Sequence, residues 1–209
     1  MDRVFRSATN VITLLTAAAW VVTVVLGLDQ QAALALGFIP DRLSGGAVPW
    51  AAVPTILTPL SATVVHSGLI HLGFNLLIFL WCGREVERVL GNTGLVVLYL
   101  VGAYAAAIAQ WAMDPSGTVP MVGASGAISA IMGAFALSFG RPRMITRSPA
   151  LNRWINAIWL MAAWIVLQVM MGWLGDQQGY LLATPAHVGG FAAGLILQRP
   201  LLLWRYRKA

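Results

Sequence analysis

The chain has 209 residues, of which 59% are hydrophobic and only 10% charged, and its net charge at pH 7 is +6. Its mean hydropathy of +0.78 lies far from that of a soluble globular domain. This composition indicates an integral membrane protein whose partners include the lipid bilayer, and it excludes nucleic-acid binding through a soluble basic module.

Six apolar stretches follow one another along the chain, each close to the ~20 residues that a helix needs to cross a bilayer. They predict one all-α membrane domain over residues 1–209, a bundle of six transmembrane helices. The stretches cover residues 10–28, 67–83, 94–113, 123–140, 154–174 and 184–204. A long connection, residues 29–57, joins the first two, and its short apolar patches, 32–39 and 48–57, suit the membrane interface.

Basic residues are distributed unequally between the two sides of this bundle. With alternate connections assigned to opposite sides, 12 basic residues fall on one side and Arg42 alone on the other, together the 13 of the chain. The positive-inside rule therefore predicts cytoplasmic termini and an outer connection 29–57. A cleaved signal peptide after Arg3 and Arg6 would leave five helices and disturb this asymmetry. Because the chain is short and shows no added domain or targeting extension, we expect a multi-pass protein of a bacterial plasma membrane.

Polar side chains are rare in the apolar stretches, and in hydrocarbon each needs a partner or a wet cavity. Spans two, four and six all enter from the outer side, and their N-terminal parts carry the candidate functional residues. These are His66, His71, Asn75, Ser125, Ser129 and His187. We expect them to converge on a water-filled site near the outer face.

His71 and Asn75 are four residues apart and stand on one face of the second span, about 40° from each other around the helix axis. Hydrogen bonds from both could stabilise an oxyanion, which is most effective where water is scarce. His66 would lie about 140° from His71 on an ideal helix. We therefore interpret His66 as a structural residue.

Ser125 opens the fourth span and His187 lies near the start of the sixth, and each begins a stripe of small residues. The stripes are Ser125, Ser129 and Gly133 on one span and His187, Gly190 and Gly194 on the other. Such stripes let helices approach closely in lipid. If the two stripes pack together, Ser125 and His187 come within hydrogen-bond reach, as a nucleophile and its base require. Taken alone, Gly190 and Gly194 would equally suit simple helix packing.

We expect no metal and no cofactor. The chain has no His-Glu-x-x-His motif, and no Asp or Glu lies in the interior of any predicted span. The same absence argues against an aspartyl protease and removes the third member of a Ser-His-Asp triad. Cys82 is the single cysteine, so an internal disulfide is impossible. The sequence permits a Ser-His dyad only.

In this arrangement the residues resemble the rhomboid intramembrane serine proteases. The resemblance rests on three segments in order on alternate spans, and on Gly83 to Glu87, which is similar to the family's Gly-x-x-x-Glu turn. The three segments are HSGLIHLGFN at 66–75, GASGA at 123–127 and AHVGGFAAG at 186–194. Two departures are Ser129, where the family often has an aromatic residue that stacks on the catalytic histidine, and Ala51 after Trp50, where many members have Trp-Arg.

The resemblance implies an endopeptidase that cleaves transmembrane proteins near the outer membrane face, with Ser125 as nucleophile and His187 as general base. Substrates would be single-span proteins with helix-weakening residues, cut next to a small side chain. The implied oxyanion hole consists of His71, Asn75 and the backbone amide of Ser125, with the amide of Ala124 as a further donor. Support for the site is expected from Gly123, Gly126, His66, Gly190 and Gly194, with Gly126 leaving room beside the nucleophile.

Two other function classes stay open. An inactive rhomboid-like factor would bind membrane proteins without cutting them, and such factors generally lack the Ser or the His that this chain has. A transporter or channel would need a polar path to the inner side, whereas the inner halves of spans two, four and six are mostly Leu, Ile, Phe and Ala. The sequence makes no prediction of the oligomeric state.

Overall fold

A computed structural model describes residues 7–139, 144–174 and 183–207, with the side chains of 171–174 left out of the description. Regular structure in these ranges is helical apart from one isolated antiparallel bridge between Phe38 and Met121. The helices are α1 (Ala8–Val25), α2 (Asp29–Leu36), α3 (Pro40–Leu43), α4 (Thr58–Ser61), α5 (Leu69–Met113), α6 (Ser125–Phe139), α7 (Pro149–Leu174) and α8 (Thr184–Arg205). The predicted all-α class is confirmed.

Four helices in the described ranges are long and apolar enough to cross a membrane: α1, α5, α7 and α8. With 45 residues, α5 would be roughly 68 Å long if straight, about twice the hydrocarbon thickness of a bilayer. Its backbone leaves the helical conformation at Gly91, where φ is 74° and ψ is 171°. Such a positive φ favours glycine, and a side chain there would also meet the guanidinium of Arg205. α6 is equally apolar but has only 15 residues.

The connection expected between the second and third spans is helical except at Gly91. Gly83 to Glu87, predicted as a turn, lies inside α5, so that prediction is wrong. The helix continues through this segment because its backbone keeps helical dihedral angles until Gly91. The Glu87 carboxylate accepts bonds from the backbone amides of Ala8 and Thr9 at 3.1 and 2.8 Å. Since these amides belong to the first turn of α1, Glu87 caps that helix.

The core is built around α6, of whose 15 residues 11 are buried. It packs against α5 and α8, which also contact each other, while α1 lies on α5 and α7 contacts α6. A side chain at Gly190 would meet the carbonyl oxygen of Gly126, and one at Gly194 would meet that of Ala130. The two small-residue stripes therefore face each other, and the missing side chains allow the backbones of α6 and α8 to touch.

The long connection 29–57 contains more structure than expected, since α2 and α3 lie within it. Its first apolar patch packs into the protein, with Ala33, Phe38 and Ile39 almost fully buried. In its second patch Trp50 and Ile56 are exposed. A place in the membrane interface therefore stays a prediction for the second patch alone.

Candidate active site

Two helices bring Ser125 and His187 together although 62 residues separate them in the chain. Ser125 is the first residue of α6, and His187 lies in the first turn of α8. Their Oγ and Nε2 atoms are 2.9 Å apart, the distance at which an imidazole can take a hydroxyl proton. Only 8% of Ser125 and 5% of His187 is exposed. The pair is therefore shielded from bulk water.

The helix that begins at Ser125 contributes its own polarity to the site. The first backbone hydrogen bond of α6 runs from the Ile128 amide to the Ala124 carbonyl, with a donor–acceptor distance of 2.9 Å. The amides of the first turn, including that of Ser125, therefore lie at the positive end of the helix dipole. A negative charge that develops beside Ser125 would be stabilised there.

His71 lies against the backbone that leads into Ser125. Its Nδ1 shares a hydrogen bond with Ser67 Oγ at 3.0 Å, so its Nε2 is the nitrogen on the Gly123 side. Gly123 has a φ of +109°, and a Cβ built there would be 2.7 Å from Nε2 of His71. The glycine is thus required both by its backbone conformation and by the imidazole beside it.

Asn75 is one turn further along α5 and is fully buried. Its Nδ2 donates to the carbonyl of His71 at 2.9 Å, while its Oδ1 is buried without a hydrogen-bond partner among the described residues. The amide donor therefore faces its own helix. The same nitrogen carries a second N–H, which can donate to a reacting group while this bond is kept.

His66 does not occupy the helical position that the sequence suggested, because α5 begins at Leu69. Its ring instead contacts that of His71, with centroids 5.0 Å apart and an interplanar angle of 62°. Its Nε2 accepts a hydrogen bond from the Ala124 amide at 3.4 Å. The amide that was expected as a further oxyanion donor is therefore engaged by His66, which holds the residue next to the nucleophile.

Gly126 has a packing role that the sequence did not predict. A Cβ at this position would lie 2.6 Å from the Cβ of Ala106 on α5. Its missing side chain thus serves the contact between α5 and α6, and the expected room beside Ser125 stays a prediction.

Trp164 on α7 is a residue of the site that sequence reasoning missed. It is 1% exposed, and its ring centroid lies 6.3 Å from that of His187 at an interplanar angle of 70°. Its Nε1 donates to Ser129 Oγ at 2.7 Å. As one of nine tryptophans in an apolar chain, it carried no signal that could distinguish it from a core or lipid-facing residue.

The fold and the site define a multi-pass helical membrane protein in which a serine and a histidine of neighbouring helices meet inside the bundle. The family model described as Rhomboid domain matches residues 54–204, well over half of the chain. The chain belongs to the rhomboid family.

Several curated proteins are similar to the chain. Rhomboid protease GlpG of Pectobacterium atrosepticum is 31% identical over 169 residues, which are 77% of this chain and 56% of that protein. RHOMBOID-like protein 5 of Arabidopsis thaliana is 28% identical over 144 residues, 69% of this chain and 43% of the relative. The chain thus spans about half the length of these relatives. Because plant proteins match as well as bacterial ones, the bacterial plasma membrane stays a prediction.

Proposed function

We propose that the chain is an intramembrane serine protease that cleaves transmembrane proteins near the outer membrane face with a dyad of Ser125 and His187. The observation that carries this proposal is the 2.9 Å separation of Ser125 Oγ and His187 Nε2 in a buried position. Membership of the rhomboid family and the similarity to proteins named rhomboid protease support it.

A topology of six spans supports the outer position of the dyad. The break at Gly91 divides α5 into residues 69–90 and 92–113, each long enough to cross the hydrocarbon. With α1, α7, α8 and the shorter α6 this makes six proposed spans, and the apolar helical segment Thr55–Val64, with 10 residues, is too short to be a seventh. An even number of spans leaves both termini on one side, and the basic residues favour the cytoplasm. The N-terminal ends of α6 and α8 then lie toward the outer face.

The proposed reaction begins with attack of Ser125 Oγ on the carbonyl carbon of the scissile peptide. His187 Nε2 takes the hydroxyl proton as the C–O bond forms, and then gives it to the leaving nitrogen as the C–N bond breaks. The amine product leaves an acyl-enzyme on Ser125. A water molecule that loses a proton to His187 attacks the carbonyl carbon of this ester. The bond from that carbon to Ser125 Oγ then breaks, His187 returns the proton to Oγ, and the carboxylic acid product and the free serine result.

Each attack places a negative charge on the former carbonyl oxygen. We assign its stabilisation to the Ser125 amide at the helix N-terminus and to His71, whose Nε2 lies on the same side. Asn75 joins them through the second N–H of its amide, since the first donates to the carbonyl of His71. The Ala124 amide would contribute only if its bond to His66 opened.

The substrate class follows from the backbone chemistry of a transmembrane helix. Such a helix engages its carbonyls in internal hydrogen bonds, so Ser125 can attack only where the helix unwinds. We therefore propose single-span substrates with Gly, Pro or polar residues near the outer boundary, cut beside a small side chain.

The test uses the purified full chain in proteoliposomes with a single-span model substrate that has a Gly-Pro pair near its outer boundary. We expect Ser125→Ala and His187→Ala to lower the cleavage rate at least about 10³-fold. Ser138→Ala is the matched control, because Ser138 lies on the same helix and bonds to Gln198, not to His187. Mass spectrometry of the products locates the cut.

Persistent cleavage in Ser125→Ala or His187→Ala would overturn the proposed dyad. Binding of the substrate without any cleavage by the wild-type protein would instead favour an inactive rhomboid-like factor. A cut mapped near the inner boundary would contradict the outer position of the site.

A further inference from the structure

The orientation of the His187 ring needs an explanation. In a Ser-His-Asp triad the carboxylate bonds to the far nitrogen of the imidazole and holds the near nitrogen toward the serine. Here Nδ1 of His187 is buried without a hydrogen-bond partner among the described residues. Other contacts must therefore keep Nε2 directed at Ser125 Oγ.

The ring of His187 is in contact with an aromatic side chain, that of Trp164. The indole of Trp164 meets it at an angle of 70° with a centroid separation of 6.3 Å, within the range of edge-to-face aromatic pairs. Both side chains are almost fully buried. Rotation of the imidazole about its side-chain torsions would therefore have to displace the indole.

The indole is itself held by a hydrogen bond to α6. Trp164 Nε1 donates to Ser129 Oγ, and Ser129 Oγ donates to the carbonyl of Ser125; both donor–acceptor distances are 2.7 Å. An indole N–H is a donor only, and burial without an acceptor would be costly. Ser129 thus satisfies Trp164 and ties it to the backbone of the nucleophile. The small side chain at position 129 also leaves the space that the indole enters.

Phe74 of α5 holds the indole further. The rings of Phe74 and Trp164 are stacked, 6.2 Å apart and inclined by 13°. The indole therefore contacts α5, α6 and α8 from its position on α7. Its place in the core is determined by several helices at once.

We propose that Trp164, anchored by Ser129, is the positioning residue that holds the His187 imidazole toward Ser125. This inference rests on the proposed function. Trp164 touches none of the reacting atoms and acts through His187, so its loss should slow catalysis without weakening substrate binding.

The test compares variants that differ in how much of this arrangement they remove. Trp164→Phe and Ser129→Ala each remove the hydrogen bond between the indole and Ser129, and the double variant removes no further bond between these two residues. Trp164→Leu removes the aromatic ring as well. Trp159→Leu is the matched control, since Trp159 lies on the same helix and is 69% exposed. For the folded fraction of each variant we measure kcat and KM on the model substrate, and the rate at which a fluorophosphonate modifies Ser125.

We expect Trp164→Leu to lower both kcat and the rate of Ser125 modification by about 10- to 100-fold while KM stays within about twofold. Trp164→Phe and Ser129→Ala should each lower them by roughly 3- to 10-fold. The double variant should be no slower than the slower single variant, because both changes remove the same bond. Trp159→Leu should match the wild type.

Folded Trp164→Leu with wild-type kcat and wild-type modification of Ser125 would overturn the inference. If that variant does not fold, the double variant decides: a loss of kcat equal to the product of the losses in Trp164→Phe and Ser129→Ala would also overturn the inference, because the two residues would then act independently. These results differ from a failure of the proposed function, which shows as undiminished cleavage by Ser125→Ala whatever residue occupies position 164.

Discussion

Gly123 shows how much one residue of the site depends on its surroundings. Two separate constraints require glycine at this position. One is its positive φ, and the other is the imidazole of His71, which lies where a Cβ would be. The first is local and costs an ordinary residue about 1–2 kcal/mol. The second exists only because α5 places His71 beside this segment. A substitution here should therefore disturb the site beyond its effect on the backbone.

We expect Gly123→Ala to lower the rate of substrate cleavage by at least about tenfold, because the methyl group displaces His71 from the backbone beside Ser125. Gly45→Ala is the control, since Gly45 has a φ of +100° and open space where a Cβ would lie. It reports the backbone strain alone and should leave cleavage within about twofold of wild type. Equal loss of activity in both variants would show that the contact with His71 is irrelevant.

Among the helices, the attachment of α1 to α5 depends on a charged side chain that the sequence placed in a turn. Glu87 accepts bonds from Ser7 Oγ and from the first-turn amides and Thr9 Oγ1 of α1. A carboxylate at the positive end of a helix is well suited to this role. The nearby Glu85 instead pairs with Arg88 on the surface of α5.

We expect Glu87→Ala to lower the free energy of unfolding by about 2–3 kcal/mol, because several partly buried donors at the start of α1 lose a charged acceptor. Glu85→Ala should change it by less than about 0.5 kcal/mol, since an exposed pair within one helix contributes little. Unfolding in mixed detergent micelles measures both values. Similar stability of the two variants would contradict the capping role of Glu87.

For the molecule as a whole, the unequal distribution of basic residues predicts which side of the membrane each connection faces. Ala51 lies in the connection expected outside, and Ala150 lies at the start of α7, on the side expected to be cytoplasmic. Both are exposed, whereas the native Cys82 is buried. Cysteines introduced at these two positions therefore report the topology without removing the native thiol.

We expect a membrane-impermeant maleimide to label Ala51→Cys in intact cells and to label Ala150→Cys only after the membrane is opened. Labelling is measured by mass shift on a gel, with the unchanged chain as the control for Cys82. Labelling of Ala150→Cys in intact cells would invert the topology and place the dyad toward the cytoplasm.

The sequence by itself determined the membrane class, the helical fold and which polar side chains to examine. Hydrocarbon forces a spanning segment to satisfy its own backbone and penalises unpartnered polar groups, so composition and spacing along one segment are informative. This is why Ser125, His187, His71 and Asn75 could be selected without coordinates. Periodicity also indicated which faces of the two stripes would pack.

Tertiary structure alone decided which groups meet. The contact of His66 with the Ala124 amide, the contact of Trp164 with His187 and the break of α5 at Gly91 each depend on how helices distant in sequence pack. A helical pattern specifies the face on which a side chain lies, but not the partner that will lie opposite. That partner is set by close packing between several helices, in which shifts of about an ångström decide whether a hydrogen bond forms.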